Sequence, residues 1–224
     1  MESQKPKIAM YVKRPFGEKL NASFDFLKEN WKLLLKFTTY LLLPLCLIQA
    51  LSLNGLMSGA LSISAIASST AMAASSSSLI AFGSYYGLYM FLYLIGIILL
   101  TSLVYGLIRT YNEREERLQG VTLGMLKPRL FRNIKRLLLM TGACILLVLF
   151  VGIFVGLLVA LTPFTLFLTI PFIIAFSVPL ALLAPIYLFE DITLMEAFKK
   201  TFRLGFATWG GVFLVSLLMG IIAN

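Results

Sequence analysis

Apolar positions in this chain gather into long blocks, and between them come shorter stretches in which apolar and charged residues alternate at helical spacing. Segments 33–53, 85–108, 137–161, 164–189 and 206–223 are nearly free of charge. Runs of about 18 or more such residues are long enough to cross hydrocarbon. Only Lys36 intrudes, within a turn of one end of the first block, where its aliphatic stem can carry the ammonium back to the headgroups. Basic amphipathic stretches over 16–31, 123–136 and 193–205 lead into the first, third and fifth blocks.

In the first stretch Phe16, Leu20, Phe24, Leu27 and Trp31 form a stripe opposite Glu18, Lys19, Asp25, Lys28 and Glu29, with Lys32 following. In the second, Leu123, Leu126, Leu130, Ile134 and Leu137 alternate with Lys127, Arg129, Arg132, Lys135 and Arg136. In the third, Leu194, Phe198, Phe202 and Phe206 oppose Glu196, Lys199, Lys200 and Arg203. An apolar stripe with a Lys/Arg-rich opposite face suits a helix lying in a membrane interface. The alternative is a cytoplasmic extension of each span packed in a small bundle. Thr193 with Glu196 predicts a capping box that starts the third stretch as its own helix, and Pro128 is expected in the first turn of the second.

The pattern predicts an all-α, polytopic transmembrane bundle, a single domain over 1–224, with interfacial amphipathic helices before alternate spans. Two full units of elbow, span and returning span, followed by half of a third, suggest truncation before a sixth span. The connection over 54–84, rich in Ser, Ala, Gly and Met and without charge, is expected to be a flexible or loosely helical external loop. The run over 112–120 is expected to continue the second span helically, with Glu113 and Arg117 spaced for a weak pair.

Composition supports the membrane reading. Of 224 residues 59% are hydrophobic and 13% charged, with a mean hydropathy of +0.92, against about 45–50% apolar in an ordinary soluble domain. The net charge of +9 is not spread as on a nucleic-acid binder: eight Lys and Arg lie between Lys5 and Lys36, eight between Arg109 and Arg136, and three between Lys199 and Arg203. Connections 54–84 and 162–163 carry none. The positive-inside rule therefore puts the amino terminus in the cytoplasm, in a multi-pass protein of the plasma (inner) membrane. Ala71-Met72-Ala73 resembles a signal-peptide cleavage site, but it lies too far beyond the first apolar block, so an uncleaved anchor is expected.

Chemistry is sparse. The chain has no histidine and no Asp or Glu well inside a block, which removes the commonest base, metal ligand and intramembrane proton relay. Ser102, Thr169 and Ser177 lack a partner base and are expected to bond to their own helices. Cys46 and Cys144 read as buried free thiols. Neither a catalytic or metal site nor a cofactor is predicted. Pro171, Pro179 and Pro185 must bend the fourth span and leave the carbonyls of Phe167, Ala175 and Ala181 short of a donor, which reads as a packing kink rather than a functional hinge. Gly83 with Gly87 and Gly152 with Gly156 permit close helix approach, expected within the monomer. Tyr85, Tyr86, Tyr89 and Tyr93 at one level, with Trp31 and Trp209 at the other, resemble aromatic belts.

Phe16-Gly17-Glu18-Lys19-Leu20, Asn30-Trp31-Lys32, Leu43-Pro44, Tyr187-Leu188-Phe189-Glu190-Asp191 and the run from Leu194 to Phe202 with Glu196-Ala197-Phe198 form one ordered pattern. Over most of the chain it resembles the six-span membrane domain found ahead of some bacterial glycerophosphodiester phosphodiesterases and in related bacterial membrane proteins. The resemblance implies a helical membrane domain and carries over no catalytic residue, since that family's catalytic barrel is not in this chain.

The expectation is a non-enzymatic protein that organises membrane lipids or partner proteins, with Lys19, Lys28, Lys32, Lys127, Arg129, Arg132, Lys135, Arg136, Lys199, Lys200 and Arg203 contacting anionic headgroups of the cytoplasmic leaflet. A membrane-protein partner or homo-oligomer fits the same reading; nucleic acid does not. The alternative is a permease or channel component for a neutral or lipid-like substrate, with an intramembrane enzyme third.

Overall fold

The computed structural model describes residues 7–10, 12–68, 76–162 and 164–223, and side chains at 62–68, 76–78 and 223 fall outside that description. Ala71-Met72-Ala73 lies outside it as well. Among the described residues there are seven helices and no strand: α1 (Phe16–Ser68), α2 (Ser76–Glu113), α3 (Leu123–Leu161), α4 (Thr165–Leu180), α5 (Leu183–Glu190), α6 (Leu194–Ala207) and α7 (Trp209–Ala223). Four segments are long and apolar enough to cross a membrane, with α4 and α5 together making the fourth, and the bent pair of α6 and α7 is a candidate fifth.

The first two amphipathic stretches are not separate elbows. α1 runs unbroken for 53 residues and α3 for 39, because no glycine or proline stands between Gly17 and Pro44 or between Pro128 and Gly142. Pro128 sits in the second turn of α3 rather than the first, since Thr122 is the N-cap. The third stretch does break away. Thr193 Oγ1 accepts from the Glu196 amide and the Glu196 carboxylate accepts from the Thr193 amide, which completes the capping box. α6 meets α7 at 91°, where Thr208 ends one helix and Gly210 and Gly211 follow Trp209.

The connection expected to be flexible or loosely helical is helix wherever it is described. Residues 54–68 extend α1 and 76–84 open α2, so the two form a long antiparallel hairpin. Contacts between Glu29 and Tyr111, Leu45 and Gly96, Gly55 and Tyr85, and Gly59 and Phe82 step in constant register along it. At Gly55 a Cβ would lie 2.6 Å from the ring of Tyr85, an exposed side chain that would have to turn aside. The other end of α2 also departs from expectation. It stops at Glu113, and Arg117 adopts φ 59° in the turn that follows.

The core lies at the end of the bundle where the charges collect. Phe37, Leu103, Leu107, Tyr111, Leu126 and Leu130 join α1, α2 and α3, while Leu183, Ile186, Tyr187 and Ala197 join α5 to α6. Toward the uncharged ends large apolar side chains are bare, with Phe150 73% and Phe167 80% exposed. Hydrocarbon, not water, is the solvent in which such a surface is stable. Gly83, Gly87, Gly152 and Gly156 share this bareness, with nothing among the described residues within 4 Å of an added Cβ, so they mediate no packing among those residues. Both cysteines are free, though Cys46 is exposed rather than buried and Cys144 is half-buried.

Candidate functional site

Three helix ends converge on Asp191. α5 terminates there because Asp191 adopts the left-handed conformation, φ 52° and ψ 27°, which Asp tolerates better than most residues. The last carbonyls of α5 are left without intrahelical donors, and arginines from two other helices supply them. Arg136 of α3 donates to the carbonyls of Tyr187 at 2.6 Å and Ile192 at 2.8 Å, and its guanidinium lies 4.1 Å from the Tyr187 ring centroid. Arg109 of α2 donates to the Leu188 carbonyl at 3.5 Å. Cations here also oppose the negative end of the α5 dipole.

The Asp191 carboxylate then pairs with Arg109 at 3.1 Å, Arg136 at 3.3 Å and Arg132 at 3.7 Å. Arg109 in turn holds Glu113 one turn on, and Glu113 also accepts from Arg129. Arg129, Arg132 and Arg136 reach these partners together because steps of three and four put them on one face of α3. Beneath the charges Ser102 Oγ donates to the Leu130 carbonyl at 3.0 Å and Asn133 Nδ2 to the Ser102 carbonyl at 3.3 Å. Ser102 therefore ties α2 to α3 instead of bonding to its own helix, whereas Thr169 and Ser177 bond to theirs.

A second cluster fixes α1. Glu29 accepts from the Tyr111 hydroxyl at 3.1 Å and from Arg117 at 2.7 Å, so the expected pair of Arg117 with Glu113 does not form. Lys7 Nζ donates to the carbonyls of Asn112 and Arg114 at the end of α2. The hydrogen bond and charge of Glu29 hold the Arg117 guanidinium above its ordinary range.

Burial alone would raise the Asp191 pKa, but the Arg109 hydrogen bond and the charges of Arg109, Arg132 and Arg136 outweigh it, and the carboxyl sits below its usual range. A group with a depressed folded pKa stabilises the fold above its unfolded value, about 3.9 for Asp, and loses that contribution as pH falls through the lower folded value. Acid titration followed by near-ultraviolet circular dichroism should therefore show the wild type losing stability below about pH 4. Asp191→Asn should be less stable at neutral pH and flatter through that window. Parallel acid profiles for the two proteins would contradict this role for Asp191.

Of the eleven cations expected at headgroups, four are engaged within the chain: Arg129, Arg132 and Arg136 as above, and Lys200 with Glu190 at 2.6 Å. Arg136 is the most committed, its side chain only 19% exposed. Lys19, Lys28, Lys32, Lys127, Lys135, Lys199 and Arg203 are exposed and make no ion pair among the described residues. Lys32 lies over the Trp31 ring at 5.8 Å.

The prolines of the fourth span act unequally. Pro171 and Pro179 stay inside α4; the break comes at Ala181 and Leu182, and Pro185 occupies the first turn of α5, where a missing amide is harmless. The Ala175 carbonyl freed by Pro179 accepts from Trp209 Nε1 at 3.1 Å. It is therefore not left as a bare ligand for an ion, and Trp209 is engaged with α4. Against the same proline, Gly205 of α6 packs so closely that a Cβ would stand 2.5 Å from Pro179 Cβ. The buried face of α6 is thus Ala197, Thr201 and Gly205. Phe198, Phe202 and Phe206 of the expected stripe stack beside it, with Phe176 edge-on to the last two.

No cluster of His, Cys, Asp or Glu able to hold a metal occurs among the described residues. Compared with known protein families, curated proteins and solved structures, the chain matches none.

Proposed function

We propose that this is a multi-pass plasma-membrane protein with a cytoplasmic amino terminus, which gathers anionic lipids of the cytoplasmic leaflet, and through them or beside them partner proteins, without catalysing a reaction. The observation that carries this reading is the division of labour among the cations. Acids inside the chain hold Arg129, Arg132, Arg136 and Lys200, whereas seven others, from Lys19 to Arg203, stay exposed at the charged end of the bundle. Each cation close to an anionic surface contributes about 1 kcal/mol of attraction. The 91° turn between α6 and α7 supports an interfacial course for α6 alone, with Lys199 and Arg203 toward headgroups.

The test uses spin-labelled lipids in proteoliposomes, comparing the motionally restricted fraction of an anionic with that of a zwitterionic label. The wild type should favour the anionic label at low salt. The quadruple variant Lys127→Gln, Lys135→Gln, Lys199→Gln, Arg203→Gln should reduce that preference about fivefold or more, the equivalent of at least one cation's contribution. High salt should do the same. A preference untouched by both changes would remove the reading.

A further inference from the structure

A groove of about 1150 Å³ opens between α1 and the start of α3. Its wall changes character along α1. Lys32 and Lys36 stand one turn apart at the charged end, followed by Tyr40 and then Leu43 toward the uncharged end. No acid lines it, and neither lysine makes an ion pair among the described residues. The opposite wall is Val121, Thr122 and Leu123, where α3 begins and the Thr122 side chain makes no capping bond; a helix start of this kind favours negative charge.

The dimensions narrow the choice of occupant. From Lys32 to Leu43 the helix rises roughly 16 Å at about 1.5 Å per residue, close to half of the roughly 30 Å of bilayer hydrocarbon. Polar recognition at one end, a bare apolar track of one leaflet's depth and two unopposed positive charges together describe a single class of molecule. We propose that this groove holds one anionic glycerophospholipid, its phosphate between Lys32, Lys36 and the first turn of α3, and an acyl chain lying along α1 past Tyr40 to Leu43. Resting on the membrane reading above, this assigns a discrete site where that reading needs only a diffuse field.

Trp31 lines the groove and reports on it. The chain has two tryptophans, so Trp209→Phe leaves Trp31 as the sole emitter, with phenylalanine keeping the stack on Phe213. The full chain is placed in phosphatidylcholine bilayers containing a minor fraction of brominated phosphatidylglycerol or of brominated phosphatidylcholine. Trp31 should be quenched about fivefold more strongly, per brominated lipid, by the anionic probe. Lys32→Gln with Lys36→Gln should bring the ratio to one, while Lys127→Gln with Lys135→Gln should leave it unchanged. Equal quenching by the two probes in the parent would overturn the site. So would an equal loss in the two double variants, which would trace the preference to the general field. A Trp31 preference that persists where spin-labelled lipids show none would keep the groove and remove the broader function instead.

Discussion

Arg136→Gln is expected to destabilise the bundle by about 2–3 kcal/mol, because it removes, in one step, a charge partner and a donor to two backbone carbonyls, one in the last turn of α5 and one in the connection to α6. Glutamine cannot reach the Tyr187 and Ile192 carbonyls together, and both then face partial burial without a donor. The stack on Tyr187 goes as well. One feature limits the effect: the Arg136 Nε is buried with no partner among the described residues, so the native guanidinium is itself incompletely satisfied. Arg136→Lys keeps the charge but not the planar fork, and should recover less than half of the loss. Arg132→Gln is the control, since Arg132 is 48% exposed and only 3.7 Å from the same carboxylate, a geometry worth under about 0.5 kcal/mol. Reversible unfolding in mixed micelles measures all three. Equal losses for Arg136→Gln and Arg132→Gln would show that the α5 cap contributes nothing.

The contrast between Arg136 and Lys135 shows what a sequence can and cannot reveal here. Helical spacing put Lys127, Arg129, Arg132, Lys135 and Arg136 together opposite the apolar stripe, whereas among the described residues only the three arginines are ion-paired. It could not show that Glu113 and Asp191 cover the face, because the contacts of Arg129 with Glu113 and of Arg136 with Asp191 join residues 16 and 55 positions apart. Lys135 keeps the exposure expected of it. The same limit explains Trp209, whose partner at Ala175 lies 34 positions away.

Helix continuity was legible in part. Thr193 with Glu196 announced the start of α6, and Thr208-Trp209-Gly210-Gly211 marks its end. Expecting breaks at the other two stretches put amphipathic periodicity above the missing punctuation. Asn30 is the one residue at 30–33 or 136–138 with a capping side chain, and it donates back to the Phe26 carbonyl within α1, so backbone propagation continues. The 54–84 connection, expected to be flexible or loosely helical, is helical at both described ends for a related reason. Ser and Ala lack bulk and charge but do not break helices as Gly or Pro would, so α1 and α2 extend into it until 68 and from 76.

Gly205→Ala should lower stability by about 2–3 kcal/mol, reversing the usual gain of nearly 1 kcal/mol when alanine replaces a helical glycine. The reversal follows from what a methyl group would meet. Its nearest neighbours are Pro179 Cβ at 2.5 Å and Pro179 Cα at 2.6 Å, and the second is backbone of α4, so α6 must move away from α4. That movement would also strain the Phe176 contacts with Phe202 and Phe206 and the Trp209 bond to Ala175 just beyond. Gly210 and Gly211 supply the comparison, since nothing lies within 4 Å of a Cβ at either, and alanine there should be neutral or stabilising. Thermal unfolding of the three alanine variants in one detergent separates close contact from propensity. If Gly205→Ala were as stable as Gly211→Ala, the packing of α6 on Pro179 would not be what holds the 91° corner in place.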